Sequence, residues 1–405
     1  MKSPLPRRAA VFLTCSLISL LPLTTPASAA PAAPLSDAFT SAATTYEVPR
    51  DLLVALAYAE THLDGHGGEP SASGGYGVMH LVGAPGSRAL ERAAALTGKP
   101  VPALKTDDAA NVAGGAAVLR ALADELRLDA ADREDTGKWY QAVARYGGAS
   151  SPDVARLYAD TVYELLTSGV RAVTPAGETV SVPARAVRPD RGPYEAARDL
   201  DRTFAAAAVD YPSAHWVPAS TSNYAVSDRP NSDVIDRIVI HVTQGSYAGT
   251  ISWFQNPAAA VSAHYVVRSS DGDITQMVRE KDRAWHAGDY NRRSVGIEHE
   301  GYVDNATWFT DSMYRASAAL TRNIADRYGI PKDRTHIVGH VEVPGASHTD
   351  PGRYWDWNRY MQYVGGSGGT TNPYTAQEVC GSGYSVIDSA ALGTAGTVYL
   401  LYNSS

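Results

Sequence analysis

Two short segments carry residue types that could perform metal-assisted hydrolysis. In Arg237-Ile238-Val239-Ile240-His241-Val242-Thr243 an apolar run ends on a histidine. In Gly339-His340-Val341-Glu342-Val343-Pro344-Gly345-Ala346-Ser347-His348-Thr349-Asp350-Pro351-Gly352 a second run ends at His340, and Asp350 follows ten residues later. A single histidine at a strand end is more often a cap or a core residue than a ligand. Two such ends plus an aspartate are another matter. Two neutral imidazoles and one carboxylate around a dication leave a net charge of about +1, so the ion remains a Lewis acid able to ionise water near pH ~7.

Further motifs stand between and around these segments: Val261-Ser262-Ala263-His264-Tyr265, Ala284-Trp285-His286-Ala287-Gly288, Ser294-Val295-Gly296-Ile297-Glu298-His299-Glu300-Gly301 and His348-Thr349-Asp350-Pro351-Gly352. In this order they resemble the zinc-dependent N-acetylmuramoyl-L-alanine amidases of the Amidase_2 type, kin to the peptidoglycan recognition proteins. The resemblance covers roughly residues 235–363. It implies one zinc ion held by His241, His340 and Asp350. It also implies a substrate groove lined by His264, Trp285 and His286. Glu298 and Glu300 share one face of a strand by its period of two, and periodicity leaves both open as a general base. The resemblance selects Glu298, which matches the catalytic glutamate of a Gly-Ile-Glu-Xaa-Glu-Gly motif and would move a proton from water to the leaving amine. Such amidases often carry lysine eight residues after the second ligand. Here His348 stands there, and the resemblance gives it the task of stabilising the oxyanion by charge or hydrogen bond. His299 and His336 are expected to be structural or to support the ligands from behind.

The elements that must position these residues follow from the rest of the chain. Its 405 residues allow two domains with linkers. Residues 1–29 read as a signal peptide: Lys2, Arg7 and Arg8 precede an apolar stretch from Ala9 to Leu23, and Ala27-Ser28-Ala29 is a small-residue cleavage site. The expected product is a secreted, cell-wall-associated protein without a further membrane segment. The formal charge is −8, and loss of the basic leader makes the mature chain more acidic. No basic run offers a nucleic-acid footprint. Of two cysteines, Cys15 leaves with the leader and Cys380 remains alone.

Residues 36–170 are Ala/Leu-rich with helical periodicity, and Leu52, Leu53, Leu56 and Ala59 fall on one face. Val48-Pro49 through Glu60, Ser73-Gly74-Gly75-Tyr76-Gly77-Val78-Met79-His80-Leu81 and Ala144-Arg145-Tyr146-Gly147-Gly148 resemble the lysozyme-like fold of lytic transglycosylases. That likeness makes Glu60 the candidate acid for a glycosidic oxygen. His80 stands where the family has Gln, and Arg145 and Gly147 interrupt its Ala-Tyr-Asn-Ala-Gly signature. Residues 171–213 read as a linker. Residues 214–364 read as the zinc amidase domain, α/β with a mixed central sheet, including a helix from Asp311 to Tyr328 capped by Thr310. A Gly/Ser linker over 365–373 and a small, truncated-looking β module or tail over 374–405 complete the chain.

The reading is therefore a multidomain, secreted peptidoglycan hydrolase. A helical lysozyme-like domain precedes the α/β domain that cuts the amide between N-acetylmuramic acid and L-alanine. Two alternatives accompany it. One is a non-catalytic peptidoglycan-binding protein. The other is a bifunctional enzyme that also cleaves glycan strands through Glu60.

Overall fold

The computed structural model describes residues 34–83, 88–200 and 209–365. The expected signal peptide, the β module over 374–405 and Cys380 lie outside the described residues. The apolar periodicity of the N-terminal third is realised as α1 (Leu35–Tyr46), α2 (Arg50–Thr61), α3 (Ala89–Thr97), α4 (Val101–Thr106), α5 (Asp108–Glu125), α6 (Ala130–Glu134), α7 (Tyr140–Tyr146) and α8 (Pro152–Ser168). Two short strands, β1 (Gly75–Tyr76) and β2 (Leu81–Val82), pair antiparallel within the Gly- and Ser-rich stretch. Capping chemistry sets the helix ends. Asp107 accepts from the Ala110 backbone N–H, and Ser151 accepts from that of Val154, with Pro152 opening α8. In α2 the buried row includes Leu53, Leu56 and Ala57 and then Glu60, so periodicity carries a carboxylate into the interior.

The segment expected to be a bare linker begins with a hairpin, β3 (Val170–Val173) and β4 (Thr179–Val182). Its Glu178 lies between these strands and closes back on the start of the chain. The carboxylate accepts from the backbone N–H groups of Leu35 at 2.6 Å and Ser36 at 2.9 Å. Those are the unpaired donors at the start of α1, which has no side-chain cap of its own.

The C-terminal half folds around β5 (His215–Trp216), β6 (Tyr224–Ala225), β7 (Arg237–Val242), β8 (Tyr265–Val267), β9 (Ile274–Gln276), β10 (Arg283–Ala284), β11 (Ser294–His299) and β12 (Ile337–Gly339). Strands β12-β7-β11-β8-β9-β5 form one sheet in that order. β12, β7, β11 and β8 run parallel, β8 and β9 make an antiparallel hairpin, and β5 joins the edge parallel to β9. The sheet is mixed, as its sequence pattern implied. The helices of this half are α9 (Tyr247–Gln255), α10 (Asp311–Tyr328) and α11 (Trp357–Gly365). Thr310 caps α10 through the Met313 N–H, and Gly329 ends it in the left-handed region.

Alternation along the strands divides the sheet into two faces. Ile238, Ile240, Val242, Val295, Ile297 and Ile337 pack with Met313, Leu320 and Ile324 of α10 and Tyr360 of α11. On the opposite side Val266 joins Ile251 and Phe254 of α9. These residues belong to the same apolar core as Leu53 and Leu56 of α2 and Leu157 of α8. The helical region and the sheet therefore share one core rather than meeting across a wet interface, and they belong to a single compact unit. No helix among the described residues is long and apolar enough to cross a membrane.

Replacing Glu178 by alanine leaves the first N–H groups of α1 unpaired and should lower unfolding free energy by about 1–2 kcal/mol. Urea denaturation measures this, and an unchanged midpoint removes Glu178 from the cap.

Candidate active site

The carboxyl ends of three adjacent parallel strands form one rim. Ile240 lies opposite Gly339, and His241 lies opposite Glu298. His241 therefore lies in the last pair of residues of β7 beside Glu298 of β11, and His340 follows the last residue of β12. Ligand sites in open α/β sheets collect at such strand ends. Asp350 comes from the loop beyond. Its Oδ2 lies 3.2 Å from His241 Nδ1 and its Oδ1 lies 3.1 Å from His340 Nδ1. One ligand atom from each residue fits within a 4.8 Å cluster. The three are buried, with 2%, 9% and 7% of their surfaces exposed for His241, His340 and Asp350.

Charge at this rim is sharply divided. Burial alone would raise the Asp350 carboxyl, but the imidazoles of His241 and His340 beside it hold it well below the usual carboxylate range. Burial pushes His241 down, against the pull of Asp350. Glu298 goes the other way: burial and then the Asp350 charge push its carboxyl well up. Its Oε2 is sealed from solvent without a hydrogen-bond partner.

His286 occupies a different place from the expected groove wall. Its Nδ1 is 2.9 Å from His241 Nε2, and its Nε2 is 3.2 Å from Ser294 Oγ. Ser294 donates its hydroxyl proton to the Tyr290 carbonyl at 2.7 Å. Ser294 Oγ therefore accepts from His286 Nε2–H, which leaves His286 Nδ1 to accept from His241 Nε2–H. That network turns the Nδ1 lone pair of His241 toward an Asp350 oxygen. Two acceptors facing each other call for a cation between them. With one carboxylate and two imidazoles as donors, the residues fit zinc. Gly296 makes the arrangement possible, since a Cβ there would stand 2.6 Å from His286 Nδ1.

His264 is fully enclosed, and its Nδ1 accepts from the Gly296 N–H at 3.0 Å. It pins the backbone of β11 and shows no surface to a groove, contrary to the expectation from sequence. Trp285 is half-buried. His348 is exposed and stacks on His340 with centroids 4.6 Å apart. Glu300 is absorbed by structure, accepting from the Tyr247 and Ser269 N–H groups at 2.8 Å each. Of the two glutamates that alternation left open, Glu298 is thus the one with an oxygen to spare. His299 donates from Nδ1 to the His241 carbonyl at 2.8 Å and approaches Ser317 Oγ at 2.6 Å, tying β11 to α10. His336 pairs with Asp333. Neither joins the His241, His340 and Asp350 cluster. Sequence reasoning missed Ser294 and the tie from His286 to His241, because their spacing along the chain carries no signal for that contact.

The family model described as Amidase_2, N-acetylmuramoyl-L-alanine amidase, matches residues 230–353. N-acetylmuramoyl-L-alanine amidase A of Achromobacter lyticus is 43% identical over 179 residues, covering 40% of this chain and 99% of that protein. The chain belongs to the Amidase_2 family. The 1,6-anhydro-N-acetylmuramyl-L-alanine amidase AmpD of Escherichia coli (strain K12) is 38% identical over 132 residues, covering 29% of this chain and 69% of that protein. A crystal structure of a Se-Met AmpD derivative is similar at 30% identity, covering 38% of this chain and 96% of that chain, with a TM-score of 0.32.

The Amidase_2 match begins after the helical region, so Glu60 is described by its own surroundings. It is 3% exposed. Its Oε1 accepts from the Tyr158 hydroxyl at 2.6 Å and its Oε2 accepts from Ser246 Oγ at 2.8 Å. His80 Nδ1 lies 3.5 Å from Oε2. Beside it is a cavity of about 230 Å³ lined by residues of both halves, including His80, Tyr146 and Trp253. Gly147, one of the departures from the transglycosylase signature, has a packing reason: a Cβ there would lie 2.6 Å from the Tyr158 ring.

His286→Ala should weaken zinc affinity by about 10–100-fold, the usual cost of losing a partner to a ligand histidine. Competition with a chromophoric chelator reads this directly. Unchanged zinc affinity with raised KM would return His286 to the groove.

Proposed function

We infer that this protein is a zinc-dependent N-acetylmuramoyl-L-alanine amidase acting on peptidoglycan, where it hydrolyses the amide joining the lactyl group of N-acetylmuramic acid to L-alanine. The observation that carries the reading is the convergence of His241, His340 and Asp350 at the rim where Glu298 keeps a sealed, unpartnered oxygen. Zinc bound by those three residues supplies Lewis acidity toward the amide carbonyl and toward water. Glu298, whose proton affinity is raised by burial, takes a proton from water and delivers it to the leaving amine of L-alanine. His348 stands exposed over His340 and is assigned hydrogen-bond donation to the oxyanion. Trp285, part-exposed beside His286, is assigned a face for the sugar or the peptide stem. The complete ligand set and a spare buried carboxylate oxygen disfavour a purely binding role.

We also propose export through the segment over 1–29 and action at the cell wall. The division into a helical domain over 36–170, a connector over 171–213 and the amidase domain over 214–364 is part of the proposal. The helical domain resembles lytic transglycosylases in sequence. A second reading, glycan cleavage through Glu60, is supported by the cavity beside that residue. Weighing against it, both carboxylate oxygens already accept hydrogen bonds, one of them from the amidase domain.

Digestion of purified wall by the mature protein should release free stem peptides, detected by mass spectrometry. Their release should stop on chelation and return with zinc. Chelator-resistant glycan fragments alone would overturn the amidase reading. Glu298→Gln should keep zinc and lose at least about 100-fold in turnover. Near-normal turnover would remove Glu298 from proton transfer.

A further inference from the structure

Glu60 is a buried carboxylate with no place in the amide chemistry, yet it reaches the loop that leaves the catalytic strand β7. That loop runs from Thr243 to Ser246, one residue beyond His241. The helical domain holds it twice: Glu60 Oε2 accepts from Ser246 Oγ at 2.8 Å, and the Ala72 N–H donates to the Gln244 carbonyl at 3.1 Å. The loop that leaves β11 after Glu298 is held from the same side. His66 stacks on Tyr302 with centroids 3.7 Å apart, and His62 stacks on Trp308 at 3.4 Å. The two loops are also bound to each other. Gly245 and Gly301 exchange backbone hydrogen bonds at 3.1 and 3.0 Å, and Gln244 Oε1 accepts from the Val303 N–H at 2.8 Å.

We propose that the helical domain is a built-in brace for the amidase site, with Glu60 a positioning residue that acts through Ser246 on the loop setting His241. The proposal rests on the zinc-amidase reading. Loops at strand ends are ordinarily the mobile part of an α/β site. Here both loops behind the metal ligand and the general base are fixed by side chains of another domain. Helix α9, which begins at Tyr247 after Ser246, is set in the apolar core shared with α2 and α8, which fixes the backbone that presents Ser246 to Glu60. The carboxylate is anchored on its own side by the Tyr158 hydroxyl. Displacements of about 1 Å at a catalytic site cost on the order of 100-fold in rate, so a loosened loop registers in turnover before it registers in folding.

The test uses the full-length, zinc-loaded chain with Glu60→Ala, Glu60→Gln, Ser246→Ala and a control, Val118→Ala. Val118 lies in α5, which packs on the other N-terminal helices. Turnover, KM, Tm and the rate of zinc release to excess chelator are measured. Glu60→Ala should lose about tenfold or more in kcat with little change in KM, and it should release zinc faster. Ser246→Ala should move the same way. Glutamine, whose oxygen can accept from Tyr158 and whose amide can donate to Ser246, should restore most of both. Val118→Ala should lower Tm while leaving kcat and zinc release near wild type. Wild-type kcat and zinc release in Glu60→Ala would overturn the brace, as would losses that track Tm equally in the control. Loss of glycan cleavage in Glu60→Gln with stem-peptide release intact would assign Glu60 to glycan chemistry instead. A wild-type chain that binds zinc but releases no stem peptide overturns only the amidase reading, and zinc release still decides the brace.

Discussion

Ile240 of β7 lies opposite Gly339 on one side and Ile297 on the other, and everything at the site follows from that double parallel register. It brings His241, Glu298 and His340 to one rim at neighbouring levels. A slip of one residue in β7 would turn His241 into the face packed on α10 and bring Ile240 to the rim. The register is enforced from the helix side, where Ile238, Ile240, Val295, Ile297 and Ile337 leave no tolerance for a polar group. Catalytic geometry is in this sense a by-product of core packing on the opposite face.

The same burial separates the roles of two carboxylates. Asp350 faces two imidazoles and is held well below the usual carboxylate range, while burial and the Asp350 charge push Glu298 up. Two acids in one small volume are pushed apart by environment, the pattern expected where one carboxylate is to hold a cation and the other to carry a proton. Histidines are sorted by the same means. His241 and His340 face the carboxylate, His286 backs the first of them, and His264 and His299 are consumed in holding β11 to its neighbours.

The helical half contributes more than a separate module would. Its core continues into α9 and the sheet, and aromatic stacking of His62 and His66 lies where a connector between independent domains would leave water. Ser246 shows the consequence. It occupies the N-cap position of α9 without capping it, and its hydroxyl is directed to Glu60 instead.

Much of the protein is legible in its sequence. The continuous apolar run in Arg237–Val242 and the periodicity of Asp311–Tyr328 define a buried strand and an amphipathic helix because each pattern matches the geometry of its element. The histidines at strand ends and the aspartate beyond the second raise a candidate metal site, and the resemblance to the amidase family singles them out as its ligands. Tertiary structure decided what depends on residues far apart in the chain. Glu298 and Glu300 are equivalent by period, and only the N–H groups of Tyr247 and Ser269 distinguish them by occupying Glu300. His264 and His286 lie in neighbouring motifs, yet one is enclosed and the other backs a metal ligand. Glu178 caps a helix 142 residues before it in the chain. Glu60 is drawn inward by the helical period, but its partner Ser246 lies 186 residues on. Local propensity reports a few neighbouring residues at a time. The hydrogen bonds that decide these roles form only after the shared core has brought distant segments together.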